Sequence, residues 1–359
     1  MKLRNIIVVG ASAGGVPALI ELVTTLPKNF EGSIFVVLHI PATSPSNLPE
    51  ILSRGALPAK HPKDGDQIKP GVIYIAPPDH HLLLEEDKVM VKRGPKENRF
   101  RPSIDALFRS AAYVYGTRVI GIVLSGVLND GTSGLWSIKR LGGLTVIQDP
   151  AEAQHPEMPL NVLEYVSVDF QLSIKKIGQL IDRTSRKVAP NKKVVPKKQL
   201  KLIELEIEIA IKDNAFEMGI MDMGELTPFT CPECNGVLIQ IVEGRLIRFR
   251  CHTGHAYTAS ALMADLSESV EDKLWQCMRG LEETTMLLNK VALHFQNIGQ
   301  KEAAHLFLEK SENTAKRARI IHDSIFQQAV LSEDIRYEAQ KPRRSPAKHK
   351  TKSTSKAQR

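Results

Sequence analysis

Short runs of β-branched and other apolar residues alternate with segments of helical periodicity from Asn5 to Ile181. This alternation restricts the possible folds more than any other feature of the chain, because it is typical of a mostly parallel sheet whose faces are covered by helices. It predicts an α/β domain with a doubly wound, mostly parallel sheet and an inserted antiparallel ribbon. The predicted strands are Ile6–Val9, Ile34–Leu38, Val119–Leu124 and Thr145–Gln148, the ribbon comprises Val72–Ile75, Leu82–Leu84 and Val89–Val91, and the helices are Pro17–Leu26, Leu48–Arg54, Ser103–Tyr115 and Ser133–Leu141.

Beyond this domain the composition changes along the chain. Residues 183–201 hold eight Lys or Arg residues, two prolines and no acidic residue, a composition typical of a linker. From Ala259 to Leu331, apolar residues recur at spacings of three and four, which predicts an α-helical hairpin that turns near Asn297–Gly299. We therefore predict a first domain at 1–182, a basic linker at 183–201, a small cysteine-containing module at 202–257, the helical hairpin at 258–335 and a disordered basic tail at 336–359.

The net charge of +8 is concentrated at the end of the chain. Residues 341–359 carry eight basic residues and no acidic one, so the charges of the other 340 residues sum to zero. No aromatic residue is interleaved with these basic residues, and we do not expect nucleic acid as a partner.

The longest uncharged apolar stretch, Val119–Leu128, has 10 residues, whereas a membrane span needs about 20. We therefore expect no membrane span and a cytoplasmic protein.

The sequence Gly10-Ala11-Ser12-Ala13-Gly14-Gly15 stands between the first predicted strand and the first predicted helix. Small residues in a G-x-S-x-G pattern permit a sharp turn that exposes the serine hydroxyl beside backbone N–H groups able to hold an oxyanion. Ser12 is therefore a candidate nucleophile. The alternative is a glycine-rich turn that binds phosphate, whereas the absence of G-x-G-x-x-G spacing disfavours a dinucleotide site.

Two polar residues follow other predicted strands and could serve Ser12. His39 comes directly after Ile34–Leu38, and Asp130 lies in a glycine-bracketed loop after Val119–Leu124. Because the carboxyl ends of parallel strands meet at one edge of a sheet, we expect both to lie near Ser12. The predicted relay has Ser12 as nucleophile, His39 as base and Asp130 as the acid that orients the imidazole. The other histidines near these segments, His80, His81 and His155, are weaker candidates.

Six blocks of sequence, taken in order, resemble the catalytic domain of the bacterial chemotaxis protein-glutamate methylesterases, the CheB-type family. The blocks are GASAGG, LHIP, IYIAPPDHH, GPKENRFRPSIDALFRS, LSGVLNDGTSG and DPAEAQHPEMP, and they cover about Asn5 to Ile181. The resemblance implies hydrolysis of glutamate methyl esters on chemoreceptor-like proteins and, in some members, deamidation of receptor glutamines. It places the nucleophile, base and acid on Ser12, His39 and Asp130, and we expect no cofactor for catalysis.

The same resemblance implies residues around the cleft and exposes departures from the family. Arg99, Arg101 and Met158 match family positions near the substrate, with Arg101 expected to face an acidic receptor surface. Ala13 and Val127 stand where family members commonly have Thr and Met, so they also mark candidate substrate-binding positions. The chain begins almost at the first strand of the domain, and we expect no phosphoacceptor receiver domain ahead of it.

The cysteine-containing module has the ligand spacing of a zinc ribbon. Cys231-Pro-Glu-Cys234 and Cys251-His-Thr-Gly-His255 are separated by 16 residues. We predict a structural zinc held by Cys231, Cys234, Cys251 and His255, with His252 as the alternative fourth ligand. A ribbon that folds without metal remains the alternative. Cys277, which lies within the helical pattern, is expected to be a core residue.

These features support more than one function for the whole chain. The first hypothesis is a protein-glutamate methylesterase, a serine carboxylic-ester hydrolase, with a C-terminal module for control or targeting. The second is a non-catalytic signalling adaptor that binds methylated or acidic receptor helices. The C-terminal helices could bind a signalling partner, dimerise or simply pack on each other, and self-packing is the default for such an apolar stripe.

Overall fold

The computed structural model describes residues 2–191, 193–212 and 215–327. Its main feature is a seven-stranded parallel sheet with the order β3-β4-β2-β1-β7-β8-β9. The predicted α/β class and the mostly parallel sheet are confirmed. The strands of this sheet are β1 (Ile6–Ala11), β2 (Ser33–Leu38), β3 (Ala59–Lys60), β4 (Ile73–Ile75), β7 (Val119–Val123), β8 (Leu144–Gln148) and β9 (Phe170–Leu172).

Helices cover both faces of the sheet. Alternate residues of β1 enter two separate apolar cores: Ile6 and Val8 contribute to one, and Ile7 and Val9 to the other. This division is the consequence of side chains that point to opposite faces along a strand. The helices of the domain are α1 (Gly15–Thr24), α2 (Leu48–Leu52), α3 (Ile104–Tyr115), α4 (Thr132–Arg140), α5 (Glu157–Tyr165) and α6 (Ile174–Ser185).

The antiparallel ribbon has two strands instead of the three that were predicted. It consists of β5 (His81–Glu85) and β6 (Lys88–Lys92), joined by a tight turn at 86–87. The segment Val72–Ile75, which we predicted as part of the ribbon, instead supplies β4 and pairs in parallel with β2 of the main sheet. The prediction was wrong there because strand pairing is a long-range property that apolar runs alone do not specify.

The predicted basic linker contacts the first domain at several points, although most of its side chains are exposed. Its start belongs to α6, Leu3 and Val188 form a β-bridge, and its last residues begin α7 (Lys197–Lys212). Ile203 and Ile207 of α7 lie one helical turn apart and join the apolar core beneath α3. Helix α7 therefore spans the predicted boundary at 201 between the basic linker and the cysteine-containing module, and the division of the chain into domains stays a prediction.

A second, antiparallel sheet and two long helices follow α7. The sheet has the order β10-β11-β12-β13, formed by Glu225–Thr230, Val237–Glu243, Leu246–Cys251 and Ala256–Thr258. Helix α8 (Ala259–Asn297) packs along α9 (Lys301–Gln327), so the predicted hairpin turn is confirmed.

Cys277 is exposed on α8, and our prediction of a core position was wrong because the hairpin buries only one side of each helix. No described helix is long and apolar enough to cross a membrane, and the predicted tail at 336–359 lies outside the described residues.

A buried ion cluster joins the second sheet to the first domain. The carboxylate of Glu206, on α7, accepts hydrogen bonds from both terminal nitrogens of Arg248 (2.6 and 3.0 Å) and from one terminal nitrogen of Arg250 (3.0 Å). Glu97 is bound by Arg109 of α3 (3.1 Å) and by Arg250 (2.9 Å), and all of these side chains are buried. Burial alone raises the pKa of Glu206, but the neighbouring guanidinium groups outweigh it and hold that pKa well below its usual value.

The Glu206→Gln variant is expected to lose about 3–5 kcal/mol of unfolding free energy, because it leaves three buried guanidinium groups, those of Arg109, Arg248 and Arg250, with only the carboxylates of Glu97 and Glu243 as counter-charges. Glu208→Gln on the same helix is the matched control, since Glu208 is only half-buried and its carboxylate forms an ion pair with the exposed Lys212 at 3.3 Å. The control should lose less than about 1 kcal/mol. Urea unfolding of both variants measures the difference, and equal losses would contradict a stabilising role for the cluster.

The same cluster should make the protein sensitive to acid. The pKa values of Glu97 and Glu206 are lowered in the folded protein, against their burial, by the surrounding arginines. Their contribution to stability is therefore present above the unfolded glutamate pKa of about 4.3 and is lost as the pH falls through the folded values. We expect the urea midpoint to fall more steeply below about pH 4.3 in the unmodified protein than in Glu206→Gln. Parallel pH profiles would count against this linkage.

Candidate active site

Ser12 occupies the sharp turn between β1 and α1. Its backbone N–H donates to the carbonyl of Ser125 (3.0 Å), and its own carbonyl accepts from the N–H of Gly15 (2.8 Å). Gly14 has a φ of 69°, and a Cβ there would lie 2.7 Å from the hydroxyl oxygen of Ser125 and 2.8 Å from Gln154. Only glycine fits this position, and the turn holds the Ser12 hydroxyl at the carboxyl edge of the sheet.

His39 lies between Ser12 and Asp130. Its Nδ1 is 3.2 Å from the Ser12 hydroxyl oxygen, and its Nε2 is 2.8 Å from Asp130 Oδ2. Because the Asp130 carboxylate accepts a hydrogen bond, the imidazole proton is on Nε2 and the Nδ1 lone pair faces Ser12. The ring of Phe100 stacks on the imidazole, with centroids 3.6 Å apart and planes 7° from parallel. The geometry therefore presents the Nδ1 atom of an oriented imidazole to the serine hydroxyl.

The Asp130 carboxylate is fully buried and accepts hydrogen bonds on both oxygens. Oδ2 accepts from His39 and from the Ile104 N–H (2.7 Å). The donors to Oδ1 are the side-chain amide of Asn98 (2.9 Å), the hydroxyl of Ser103 (3.0 Å) and the backbone N–H groups of Gly131 (3.1 Å) and Asp105 (3.2 Å). Burial alone raises the pKa of Asp130, but the hydrogen bond and charge of His39 and the other donors outweigh it and lower that pKa. The acid is therefore held in its charged form.

A second buried carboxyl group, Asp105, lies next to Asp130. Its Oδ2 accepts from the Asn98 amide (2.9 Å) and its Oδ1 from the Gly134 N–H (2.6 Å). Burial, together with the charge of Asp130, raises the pKa of Asp105 to about 8. Two neighbouring buried carboxyl groups cannot both ionise cheaply, so the negative charge resides on Asp130 at neutral pH.

Three of the predicted substrate-binding residues lie near Ser12: Ala13 and Val127 on loops, and Met158 in the first turn of α5. Gly126 separates Ser12 from Met158, because a Cβ on Gly126 would lie 2.9 Å from Ser12 Cβ and 2.2 Å from Met158 Sδ. Met158 itself is fully buried, so it supports the loop rather than the solvent-facing cleft. Ala13 and Val127 are half-buried beside Ser12 and Gly126, respectively. Their roles in substrate binding stay predictions.

The two predicted substrate-binding arginines are engaged within the chain. The Arg101 guanidinium binds Asp79 Oδ1 (2.6 and 2.8 Å) and the carbonyl of Gly94 (2.7 Å). This differs from our expectation that it faces an acidic receptor surface, because Asp79 supplies the counter-charge locally. Arg99 forms ion pairs with two acidic residues of α8, Asp265 (3.0 Å) and Glu268.

Sequence patterns did not identify Asn98 and Phe100, which contact the acid and the base. Both stand in the GPKENRFRPS block, but nothing in their type or spacing singled them out.

The weaker candidate His81 is buried. Its imidazole hydrogen-bonds to the Pro95 carbonyl (2.8 Å) and to the Ser103 N–H (3.2 Å), as expected for a structural residue. His81 therefore supports the loop that carries Ser103 toward Asp130.

The second sheet brings four potential metal ligands together. One ligand atom from each of Cys231, Cys234, Cys251 and His255 lies within 4.8 Å of the others. His255 Nδ1 is 3.7 Å from Cys231 Sγ and 3.5 Å from Cys251 Sγ, and the sulfurs of Cys234 and Cys251 are 3.6 Å apart. Tetrahedral zinc has bonds of about 2.3 Å to sulfur and about 2.0 Å to nitrogen. This geometry requires a separation of about 3.8 Å between two sulfur ligands and about 3.5 Å between a sulfur and a nitrogen ligand. The cluster therefore fits zinc, and His252 is not part of it.

The comparisons with known proteins concern the first half of the chain. The sequence profile named CheB methylesterase matches residues 7–181, which include Ser12, His39 and Asp130. A Leptospira interrogans protein named "Putative protein-glutamate methylesterase/protein-glutamine glutaminase" is 42% identical over 179 residues, which cover 49% of this chain and 93% of that protein. A Methanosarcina acetivorans protein named "Protein-glutamate methylesterase/protein-glutamine glutaminase 2" is 36% identical over 50% of this chain and 53% of its own length. The solved Thermotoga maritima CheB methylesterase catalytic domain is 34% identical over 50% of this chain and 97% of that chain, with a TM-score of 0.48.

Proposed function

The chain belongs to the CheB methylesterase family, and from that premise we propose that it is a serine hydrolase that removes methyl esters from glutamates of chemoreceptor-like proteins. The observation that carries the proposal is the hydrogen-bonded series from Ser12 through His39 to the buried Asp130. The names of the relatives also support deamidation of glutamine side chains at the same site. A glutamine amide and a glutamate ester differ only in the leaving group, so one nucleophile serves both.

The proposed reaction has two steps. Ser12 Oγ attacks the γ-carbonyl carbon of the glutamyl methyl ester while His39 Nδ1 takes the hydroxyl proton. His39 then returns this proton to the departing methoxide, so methanol leaves and an acyl-serine ester remains. In the second step His39 removes a proton from water as the water oxygen attacks the acyl carbon. His39 then gives this proton to the departing Ser12 Oγ, so the acyl–oxygen bond breaks, the glutamate carboxyl group is released and the Ser12 hydroxyl is restored. Asp130 stabilises the imidazolium through the Nε2–H hydrogen bond in both steps.

The oxyanion needs donors other than the Ser12 N–H, which the carbonyl of Ser125 already occupies. We infer that the N–H groups of Ala13 and Gly14 supply them, since they precede the first residue of α1 and have no acceptor among the described residues. The positive end of the α1 dipole adds to their effect. Ala13 replaces the threonine that is common in the family, so this chain relies on backbone donors at that position.

We also propose that Cys231, Cys234, Cys251 and His255 hold a structural zinc ion. Four protein ligands fill a tetrahedral shell and leave no open position for substrate. The ion would fix in place two ligand-bearing turns of the second sheet, the knuckles Cys231–Cys234 and Cys251–His255. The proposed reaction uses Ser12 and His39 and needs no cofactor. The substrate we propose, a methylated receptor helix, is found on the cytoplasmic side of chemoreceptors, and we propose that location for the chain.

The direct test is methanol release from a helical receptor-derived fragment that carries glutamyl γ-methyl esters. We expect release that depends on protein concentration, with no release from the same fragment carrying unmodified glutamates. Binding of the methylated fragment without methanol would contradict the esterase and favour the adaptor hypothesis. Release of ammonia from a glutamine-containing fragment tests the deamidase activity in the same way.

A further inference from the structure

Asn98 links the triad acid to the C-terminal part of the chain. Its side chain is buried, and its amide nitrogen donates to both Asp130 Oδ1 and Asp105 Oδ2, each at 2.9 Å. Its amide oxygen accepts the backbone N–H of Thr258 at 2.8 Å. These three partners fix the orientation of the amide, because the nitrogen faces two carboxyl groups and the oxygen faces an N–H.

Thr258 belongs to β13, the edge strand of the second sheet, and caps helix α8. This strand also holds the backbone of the active-site loop, since the Asn98 N–H donates to the Ala256 carbonyl (2.7 Å) and the Ala256 N–H to the Lys96 carbonyl (3.2 Å). The contact joins residues 160 positions apart in sequence. The active-site loop is therefore held by the cysteine-containing module on both its backbone and its side chain.

We propose that Asn98 is a positioning residue for Asp130, and that the Thr258 N–H sets its orientation, so that the C-terminal module completes the support of the triad. The inference rests on the proposed function, in which Asp130 orients His39. The Asn98 donor favours the charged carboxylate and is one of the four donors that hold Oδ1, while His39 and the Ile104 N–H bind Oδ2. Without the Thr258 donor, the amide could rotate and present its oxygen to the carboxylates.

The first test is Asn98→Asp in the full chain. The substitution preserves shape but replaces the amide donor with an oxygen that repels Asp130. We expect kcat for methanol release to fall about 10- to 100-fold at pH 8, with KM within about twofold, since a hydrogen bond to a charged group is lost. As the pH is lowered, protonation of the introduced carboxyl restores a donor, so the deficit relative to the unmodified protein should shrink. A deficit that is the same at every pH would indicate a merely structural role.

The second test removes the other end of the link. Thr258 has a φ of −78°, which proline adopts, so Thr258→Pro deletes the N–H with little backbone strain. Thr258→Ala is its matched partner, because both lose the hydroxyl that accepts from the Ala261 N–H, but only proline loses the donor to Asn98. We expect kcat to be about tenfold lower for Thr258→Pro than for Thr258→Ala. Ser260→Ala, which removes the separate contact to Asn129 (2.7 Å), should leave kcat unchanged.

Labelling of Ser12 by a fluorophosphonate probe separates this inference from the substrate assignment, because the probe needs the triad but no receptor. Labelled protein that releases no methanol would refute the methylesterase proposal, and the labelling rates of the variants would still decide the role of Asn98. Equal labelling rates for the unmodified protein, Asn98→Asp and Thr258→Pro, with unchanged thermal midpoints, would overturn the inference. Failure of the unmodified protein to label would overturn both proposals.

Discussion

Replacing Ser12 by alanine is expected to lower the rate of methanol release by roughly 10,000-fold or more. The variant retains the stacked His39 and the buried Asp130 but has no atom that can form the acyl ester. Since nucleophile and base act as a unit, His39→Ala should cost about as much, and the double variant should be little worse than either single one. A coupled methanol assay with the methylated fragment measures all three.

Ser173→Ala is the control for this substitution. Ser173 precedes α6 without a side-chain capping hydrogen bond, so loss of its hydroxyl should leave both stability and turnover nearly unchanged. Circular dichroism and thermal unfolding should show that Ser12→Ala is folded, because its hydroxyl has only the imidazole as a hydrogen-bond partner among the described residues. Methanol release by Ser12→Ala at more than about a hundredth of the original rate would refute the serine mechanism.

The proximity of Ser12, His39 and Asp130 could be predicted from sequence because each residue follows its own strand. Ser12 and His39 come after β1 and β2, which pair in register, and Asp130 comes after the neighbouring β7. The order of motifs along the chain is therefore enough to place all three at one sheet edge. Which ring nitrogen faces Ser12 could not be predicted, because it depends on side-chain geometry.

The features that sequence analysis missed depend on contacts between distant segments. The placement of β4 in the main sheet requires pairing with β2, and burial of α7 requires α3 as a partner. The environment of Arg99 depends in the same way on α8, whose acidic residues lie more than 150 positions further along the chain. Local patterns predict elements and the residues at their ends, whereas docking of one module on another is set by complementary surfaces.

The conformation of the second sheet should depend on zinc. The face of the sheet next to the cysteines has a small apolar core formed by Leu238, Phe249, Tyr257 and the first turn of α8. Ile239 and Ile241 pack on the other face, so we expect the metal to order chiefly the ligand-bearing turns. Structural zinc sites in small peptides are worth about 10–16 kcal/mol, and part of that energy should appear here as stability of β10–β13. We expect about one zinc per chain, and removal of it by a chelator should expose this sheet to protease while the parallel sheet resists.

Cys251→Ser and Cys277→Ser make a matched pair for this prediction. Cys251 is a buried member of the four-ligand cluster, whereas Cys277 is exposed on α8. Only Cys251→Ser should lose zinc and become protease-sensitive between β10 and β13, because a serine hydroxyl replaces a thiolate ligand poorly. If β13 then detaches from Asn98, Ser12 labelling should slow in Cys251→Ser and not in Cys277→Ser. A metal-free protein whose second sheet resists protease as well as the untreated protein would instead mean that this ribbon folds without zinc.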